Sequence, residues 1–336
     1  MKAVAIDRFG PSDVLEYRDW PTPSPGPRQV LIAVRAASVN PRDWMIRGGK
    51  YVFKAMLPKL PFVLGSDVAG VVAAVGPRVR GFEVGDEVFA MQPSSRGFGG
   101  YAEFIAIDER SIAPKPQGVP FPEAAAVPLA ALTALQALRN DAGLRPGGRV
   151  VVIGASGGVG HYGVQIARAL GAGTVVGVAS GANGELLKDL GADIAVDYRS
   201  QRFQDVVDGA DVVFDAVGRS SFAECRGVLT RRGTYVTTVP SPGAVAHAVR
   251  SRLWPFGKRC RIVLVRAAGE DLRLLGGFMA EGRLRSILDL EVPLERAREA
   301  HDHSRSLRTR GKNVLLVHRD DGSGDRSPTG RPSTNC

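Results

Sequence analysis

Residues 149–160 read RVVVIGASGGVG, a β-branched run that ends in a cluster of glycines. An apolar-periodic run, HYGVQIARAL, follows at 161–170. Strand, glycine turn and helix in that order bind anions. Backbone N–H groups and the positive end of the helix face a pyrophosphate, and side chains in the turn would block its approach. The glycines fit G-x-G-x-x-G in two registers. One is literal, through Gly158, Gly160 and Gly163. The other runs through Ala155, Gly157 and Gly160, with alanine in first place, and is preferred because it sits directly after the strand. It sets Ser156, Gly157, Gly158, Val159 and Gly160 against a dinucleotide.

The far end of that dinucleotide is read about twenty residues on, where an acidic side chain would take the ribose 2′-OH of NAD. Here the second strand runs out in VGVASGANGE, and Ser180 and Gly181 follow it instead of a carboxylate. A small hydroxyl leaves room for a 2′-phosphate and removes a repelling charge. Tyr198 and Arg199, after the third strand IAVD, add a hydrogen bond and a positive charge. NADP(H) is therefore expected over NAD(H).

A loop of this kind works at the carboxyl edge of a parallel sheet, and the chain contains the pattern for one. From about residue 121, after FPEAAAVPLAALTALQAL, strands and helices alternate: RVVVIG, GVGHYGVQIARALG, TVVGVAS, NGELLKDLG and IAVDY, then the strands ADVVFDAVG and GTYVTTV. Such alternation predicts βαβ units. Val159, Gly163, Ile166, Ala167 and Leu170 form one apolar stripe on the first helix. Residues 1–118 read as β-rich instead. VLIAVRAASV at 30–39 alternates, DVAGVVAAVG at 67–76 is enough for a pair of strands, and YAEFIAI at 101–107 is another strand. After 261 come a strand (RIVLVRA), a helix (EDLRLLGGFMAEGRL) and NVLLVH. The expected layout is a split domain, 1–120 plus 262–318, with a dinucleotide-binding domain at 121–261 between its parts. The polar end, 319–336, is expected to be disordered.

With these pieces in place, the chain resembles the medium-chain dehydrogenase/reductase superfamily, in its zinc-independent, quinone-oxidoreductase-like branch. The matching stretches are GPSDVLEY, PGPRQVLIAVRAASVNPRDW, LPFVLGSDVAGVVAAVG, GDEVFA, GGYAEF, VPLAALTALQAL, VVVIGASGGVG, LGADIAVDY, FDAVG and GKNVLLV, spread over residues 10–317. The resemblance implies an α/β fold: a Rossmann doubly wound parallel sheet plus a β-rich GroES-like catalytic domain, with the cleft between them. It places Asn40 and Asp43 of the Asn-Pro-x-Asp stretch, and Tyr51 beyond it, at the reacting end. Thr133 is implied near the nicotinamide, and Gly218 and Lys312 at the cofactor. Tyr51 is placed to donate to a developing enolate or phenolate oxygen. Asp43 reads first as the cap of the helix WMIRGG and only second as catalytic.

Zinc-dependent members carry a Cys and a Gly-His-Glu motif where this chain has Ser38 and Gly65-Ser66-Asp67. Hydroxyls are poor Zn²⁺ ligands beside thiolate and imidazole. The histidines, at 161, 247, 301, 303 and 318, show no ligand spacing in the first domain, and His301 and His303 diverge on a helix. No catalytic metal is expected. Without a Lewis acid the substrate must accept hydride readily, as a quinone or an α,β-unsaturated carbonyl does. A short-chain dehydrogenase also uses GASGGVG, but the motif stands late and the chain has no Tyr-x-x-x-Lys.

The remaining composition narrows the partners. Cys225, Cys260 and Cys336 are too far apart in sequence for a metal ribbon or a disulfide framework. No segment has eighteen consecutive apolar residues and the N-terminus lacks a signal-peptide pattern, so a cytoplasmic location is expected. The net charge of +10 keeps an NADPH-binding regulatory or RNA-binding protein as the alternative, but the arginines are spread along the chain, with local density at 249–261 and 296–312, and no nucleic-acid motif accompanies them. A small electrophile is the expected partner, with a homodimer as the expected assembly and no membrane contact. Segment 240–261 is longer than in compact relatives and is expected to line or cover the cleft.

Overall fold

The computed structural model describes residues 1–51, 57, 59–93, 99–254 and 256–317; the tail at 319–336 lies outside them. The first part of the chain is mostly strands: β1 (Lys2–Ile6), β2 (Glu16–Asp19), β3 (Gln29–Val39), β4 (Phe62–Val63), β5 (Asp67–Val75), β6 (Glu87–Met91), β7 (Phe104–Asp108) and β8 (Ile112–Pro114). One helix, α1 (Pro41–Arg47), follows β3, with Pro41 in the first turn where a missing N–H costs nothing. Helices α2 (Phe121–Ala126) and α3 (Pro128–Leu135) lead to β9 (Arg149–Ile153), α4 (Gly160–Ala169), β10 (Thr174–Ala179), α5 (Gly184–Asp189) and β11 (Ile194–Asp197). Then come β12 (Ala210–Asp215), α6 (Phe222–Cys225), β13 (Leu229–Thr237), α7 (Pro242–Leu253) and β14 (Arg259–Ile262). The described chain closes with α8 (Gly269–Ala280), β15 (Leu288–Pro293), α9 (Ala297–Arg305) and β16 (Lys312–Leu316).

Two sheets carry the architecture. The alternating segment forms a six-stranded parallel sheet in the order β11-β10-β9-β12-β13-β14, the doubly wound arrangement. Its central strand is buried from Val150 to Ile153, as in a sheet with helices on both faces. The second sheet runs β15-β16-β3-β5-β6-β8, with β7 also on β3, beside a small β2-β1-β4 sheet. The end of the chain therefore returns to the first domain. β16 pairs with β3 so that Val314 faces Ser38, and on the other side of β3 Ser38 faces Asp67. That register brings residues 38–40, 67 and 312–314 into one corner.

Four expectations change. Residues 67–76 make a single strand, because Gly70 is a close approach and not a turn: a Cβ there would lie 2.1 Å from the Ala33 carbonyl oxygen. RIVLVRA does not open the return to the first domain. Its first residues belong to β14, parallel to β13 as the sixth strand of the dinucleotide sheet. Segment 240–261 is then a crossover. It leaves the carboxyl end of β13, runs back as α7 and enters β14 at the opposite edge, so most of it lies away from the cofactor edge. Nor is α4 apolar on one stripe only; it is buried on every side from Gly160 to Ala167, enclosed between sheet and neighbouring segments.

A very close backbone contact lies where α4 meets the turn after β9. Gly154 takes a left-handed φ of 76°, and a Cβ on Gly160 would lie 2.0 Å from the Gly154 carbonyl oxygen. Gly160→Ala should lower the unfolding free energy by about 1–3 kcal/mol or more. Gly277→Ala, in α8 with open space around it, should raise it by about 0.5–1 kcal/mol. Denaturant titration of both variants checks this, and equal effects would contradict it.

Candidate active site

The glycine turn is held from three sides. Within it, the Gly157 N–H donates to the Gly154 carbonyl (3.0 Å). From below, His161 is fully buried; its Nδ1 lies 2.9 Å from the Gly157 oxygen, and its Nε2 accepts from the Ile287 N–H at 3.4 Å. These partners require a neutral ring protonated on Nδ1. From the other domain, the Gly311 N–H donates to the Ser156 carbonyl at 2.9 Å. A Cβ on Gly158 would lie 3.2 Å from the Gly311 oxygen, while one on Gly163 would press on Phe214 and Val152 of the sheet. Gly160 is thus the glycine of helix–turn contact and Gly163 a sheet-packing residue, which is the register through Ala155, Gly157 and Gly160. The sequence reading missed Gly154, which makes the sharp turn, and His161. Gly154's place at the end of a β-branched run was the available signal.

Farther along the edge, the Tyr198 N–H donates to the Ala179 carbonyl (3.1 Å), so Tyr198 and Arg199 stand beside Ser180. Tyr198 is exposed, with the Arg199 guanidinium 6.0 Å from its ring. Ser180 Oγ accepts from Asn183 at 2.8 Å. A carboxylate does reach this end, from the third strand and not the second. Asp197 Oδ1 accepts the Arg199 N–H at 3.0 Å, and Oδ2 lies 2.4 Å from where a Gly181 Cβ would be. The searched-for position after β10 could not reveal it. Gly218, with φ 68°, is needed because a side chain would strike Val239. Its N–H joins those of Val217, Arg219 and Ser220 around the buried Asp215 carboxylate.

The reacting end is built in the corner set by β3 and β16. Asn40 is 1% exposed and both ends of its amide are used: Nδ2 donates to Asp67 Oδ2 (2.9 Å) and Oδ1 accepts from Lys312 Nζ (2.6 Å). Asp67 Oδ1 accepts the Leu129 N–H in the first turn of α3 at 3.1 Å. Burial lifts the Asp67 carboxyl to about 6, with Lys312 pulling it down. Burial also lowers the Lys312 pKa, opposed by Asp67 and Asp43.

Asp43, read first as a cap, does cap α1, from the third helical position in a capping box with Asn40 as the N-cap residue. It is fully buried, and its Oδ2 accepts from the Asn40 N–H and from the Tyr101 hydroxyl, both at 2.8 Å. Asn40 thus bonds Asp43, Asp67 and Lys312 within one buried network. The Lys312 ammonium is turned into the catalytic domain, and its Cδ passes 3.3 Å from where a Gly158 Cβ would be. Tyr51 is half-buried against the apolar core of the first domain. Thr133 Oγ1 donates to the Leu129 carbonyl (2.7 Å), which leaves its oxygen lone pairs to accept.

Zinc does not fit this corner. Ser38 and Ser66 offer only buried hydroxyls, and the nearby Asp67 carboxylate already accepts two N–H groups and is balanced by a buried ammonium. Among the described residues no three His, Cys, Asp or Glu side chains gather in a metal-holding group. His301 and His303 do diverge: the first is buried beside Arg47, the second bonds Asp289.

The turn's support carries a pH signature. Burial holds His161 at a pKa of about 4, against the upward pull of the Gly157 carbonyl. The unfolded chain takes up a proton near pH 6.5 that the native state refuses, so this stability is present above about 6.5 and is lost as pH falls toward about 4. His161→Gln keeps a donor for Gly157 and removes the titration. Its unfolding free energy should fall less steeply with acid over that window, by up to about 1.4 kcal/mol per pH unit. Urea titrations across pH measure this, and parallel slopes would refute it.

Comparison with known proteins places this geometry. Residues 26–117 match the alcohol dehydrogenase GroES-like domain model and residues 190–315 the zinc-binding dehydrogenase model. The chain is 36% identical to the tomato (Solanum lycopersicum) 2-methylene-furan-3-one reductase, over 94% of this chain and 79% of the relative. It is 34% identical to the chloroplastic NADPH-dependent alkenal/one oxidoreductase of Arabidopsis thaliana, with the same coverage. The quinone oxidoreductase structure from Coxiella burnetii superposes with a TM-score of 0.85 at 33% identity, covering 95% of this chain and 99% of that one. The glycine turn clamped by the returning strand, the GroES-like sheet and these relatives together establish that the chain belongs to the medium-chain dehydrogenase/reductase superfamily, in its quinone-oxidoreductase-like branch.

Proposed function

We propose that this chain is an NADPH-dependent oxidoreductase that passes hydride to a quinone or an α,β-unsaturated carbonyl without a metal. The observation that carries the proposal is the corner where Ser38, Ser66 and a self-satisfied Asn40–Asp67–Lys312 network stand in place of a zinc-ligand set. The names of the tomato and Arabidopsis relatives support the substrate class and the cofactor.

NADPH supplies the hydride, and the chain holds and orients it. The turn at Ser156–Gly160 takes the pyrophosphate on backbone N–H groups, with Gly218 keeping the neighbouring loop clear. Ser180, Tyr198 and Arg199 receive the 2′-phosphate, and Thr133 presents an acceptor to the nicotinamide end. Charge gathering on the substrate oxygen needs a donor. The resemblance assigns that role to the Tyr51 hydroxyl, since the Asn40 amide is committed to Asp67 and Lys312. A single preorganised donor is worth about 2.7–4 kcal/mol, useful for a quinone and too little for a simple ketone.

NADPH oxidation should therefore be measurable with phenanthrenequinone or an enone and nearly absent with cyclohexanone. Turnover of cyclohexanone but not of quinones would overturn the proposal, and tight NADPH binding with no turnover at all would favour a binding protein. Tyr51→Phe should lower kcat more than it raises KM; a change in KM alone would remove Tyr51 from the reaction. NADPH should bind at least about tenfold tighter than NADH, about 1.4 kcal/mol, by nicotinamide fluorescence. Arg199→Ala should reduce that ratio by weakening NADPH only, and equal affinities in the unmodified chain would reject the 2′-phosphate site.

A further inference from the structure

One charge at the carboxyl edge of the parallel sheet is only half used by the fold. β10 and β11 end side by side with Ala179 opposite Asp197, so Asp197 stands next to Ser180 and Gly181. The residue is half-buried, and its carboxylate is held at one oxygen. Oδ1 accepts the Arg199 N–H at 3.0 Å, in a turn whose Ser200 and Gln201 N–H groups donate to the Asp197 carbonyl at 3.1 and 2.9 Å. That turn accounts for Oδ1 and makes no use of Oδ2. Oδ2 lies 2.4 Å from where a Gly181 Cβ would be, and so fills the space of a side chain following the second strand. Among the described residues it has no hydrogen-bond or ion-pair partner. The Arg199 guanidinium lies by the exposed Tyr198 ring, 6.0 Å from its centroid, and forms no ion pair with the carboxylate.

We propose that Asp197 sets how strongly the chain distinguishes NADPH from NADH: its unused oxygen accepts a ribose 2′-OH and repels a 2′-phosphate. The inference rests on the NADPH reading above and refines the adenosine end of that site. In a doubly wound sheet the carboxylate that takes the 2′-OH normally follows the second strand. Here Gly181 leaves that place open, and the parallel pairing of β10 and β11 fills it with a carboxylate from the third strand. An ionised carboxylate only accepts hydrogen bonds. A 2′-OH can donate to it. A phosphate carries about two negative charges and acceptor oxygens, so against Asp197 it meets repulsion with no hydrogen bond in return. Two neighbouring residues therefore act in opposite directions. Arg199 favours the phosphate, and Asp197 holds that preference down while keeping a hold on NADH. In a half-exposed position each effect has the size of a surface charge contact, about two- to fivefold in affinity.

The test is the dissociation constants of NADPH and of NADH, by nicotinamide fluorescence, for the full chain and for Asp197→Asn. The amide keeps an oxygen for the Arg199 N–H and puts a neutral NH₂ in place of the charged oxygen, so the turn is preserved. Asp197→Asn should bind NADPH about two- to fivefold tighter and NADH no tighter than the unmodified chain, which raises the ratio between them. Binding of NADH by the variant also shows that it is folded. Because the effect is one of charge, the gain for NADPH should shrink as salt is raised from about 20 mM to about 500 mM, which a purely structural change would not do. A ratio that is unchanged or lower overturns the inference and leaves the NADPH reading standing. So does a shift common to both cofactors, or a gain indifferent to salt. Failure of the unmodified chain to bind NADPH overturns the reading and the inference together.

Discussion

A buried ammonium organises the molecule. Lys312 is 3% exposed, and its charge is accommodated by Asn40, the Val39 carbonyl and, through Asn40, the carboxylate of Asp67. A charge in that position is costly unless every partner is present, and removing one partner of such a pair typically costs about 3–5 kcal/mol. The register of β16 on β3 is thereby specified by chemistry as well as by apolar packing. A slip of one residue would move Lys312 away from Asn40 and turn the alternate face of the strand inward. Because α3 offers its Leu129 N–H to the same Asp67, the helix leading to the dinucleotide domain is tied into this network as well.

The other side of Lys312 meets the glycine turn. The residue before it donates to the Ser156 carbonyl, and its own stem runs along Gly158. One strand end thus touches the pyrophosphate turn with its backbone and the reacting corner with its side chain. Glycines occur where two backbones must meet: Gly160 against Gly154, and Gly158 against Gly311. Neutral His161 completes the support from below, and its burial keeps it neutral at ordinary pH. Asn40, Asp67 and Lys312 are spent on one another, while the Ser38 and Ser66 hydroxyls beside them have no partner.

Much of this was legible in the residues. The β-branched run, the glycine turn and the alternating segments after it specify a doubly wound sheet, because periodicity and turn chemistry act locally. The absence of a carboxylate after β10, and of thiolate or imidazole at positions 38 and 66, needed only the residue types. Even so, local pattern misled in places. RIVLVRA looked like the return to the first domain and instead completes the parallel sheet, since a short apolar run carries no mark of which sheet it joins.

What tertiary structure decided were matters of partnership. Asp43 and Asn40 have the types of catalytic residues, but whether an amide or a carboxylate faces a ligand or another buried group depends on strands far apart in sequence, here β3, β5 and β16. Asp197 reaches Gly181 and Arg199 from the third strand, a placement set by its pairing with β10 and invisible to a search after the second. Residue types and spacing set the elements and the chemistry available to them, because propensity and side-chain chemistry are local. Which groups remain free to act is a property of burial and pairing, and those exist only once the chain has closed on itself.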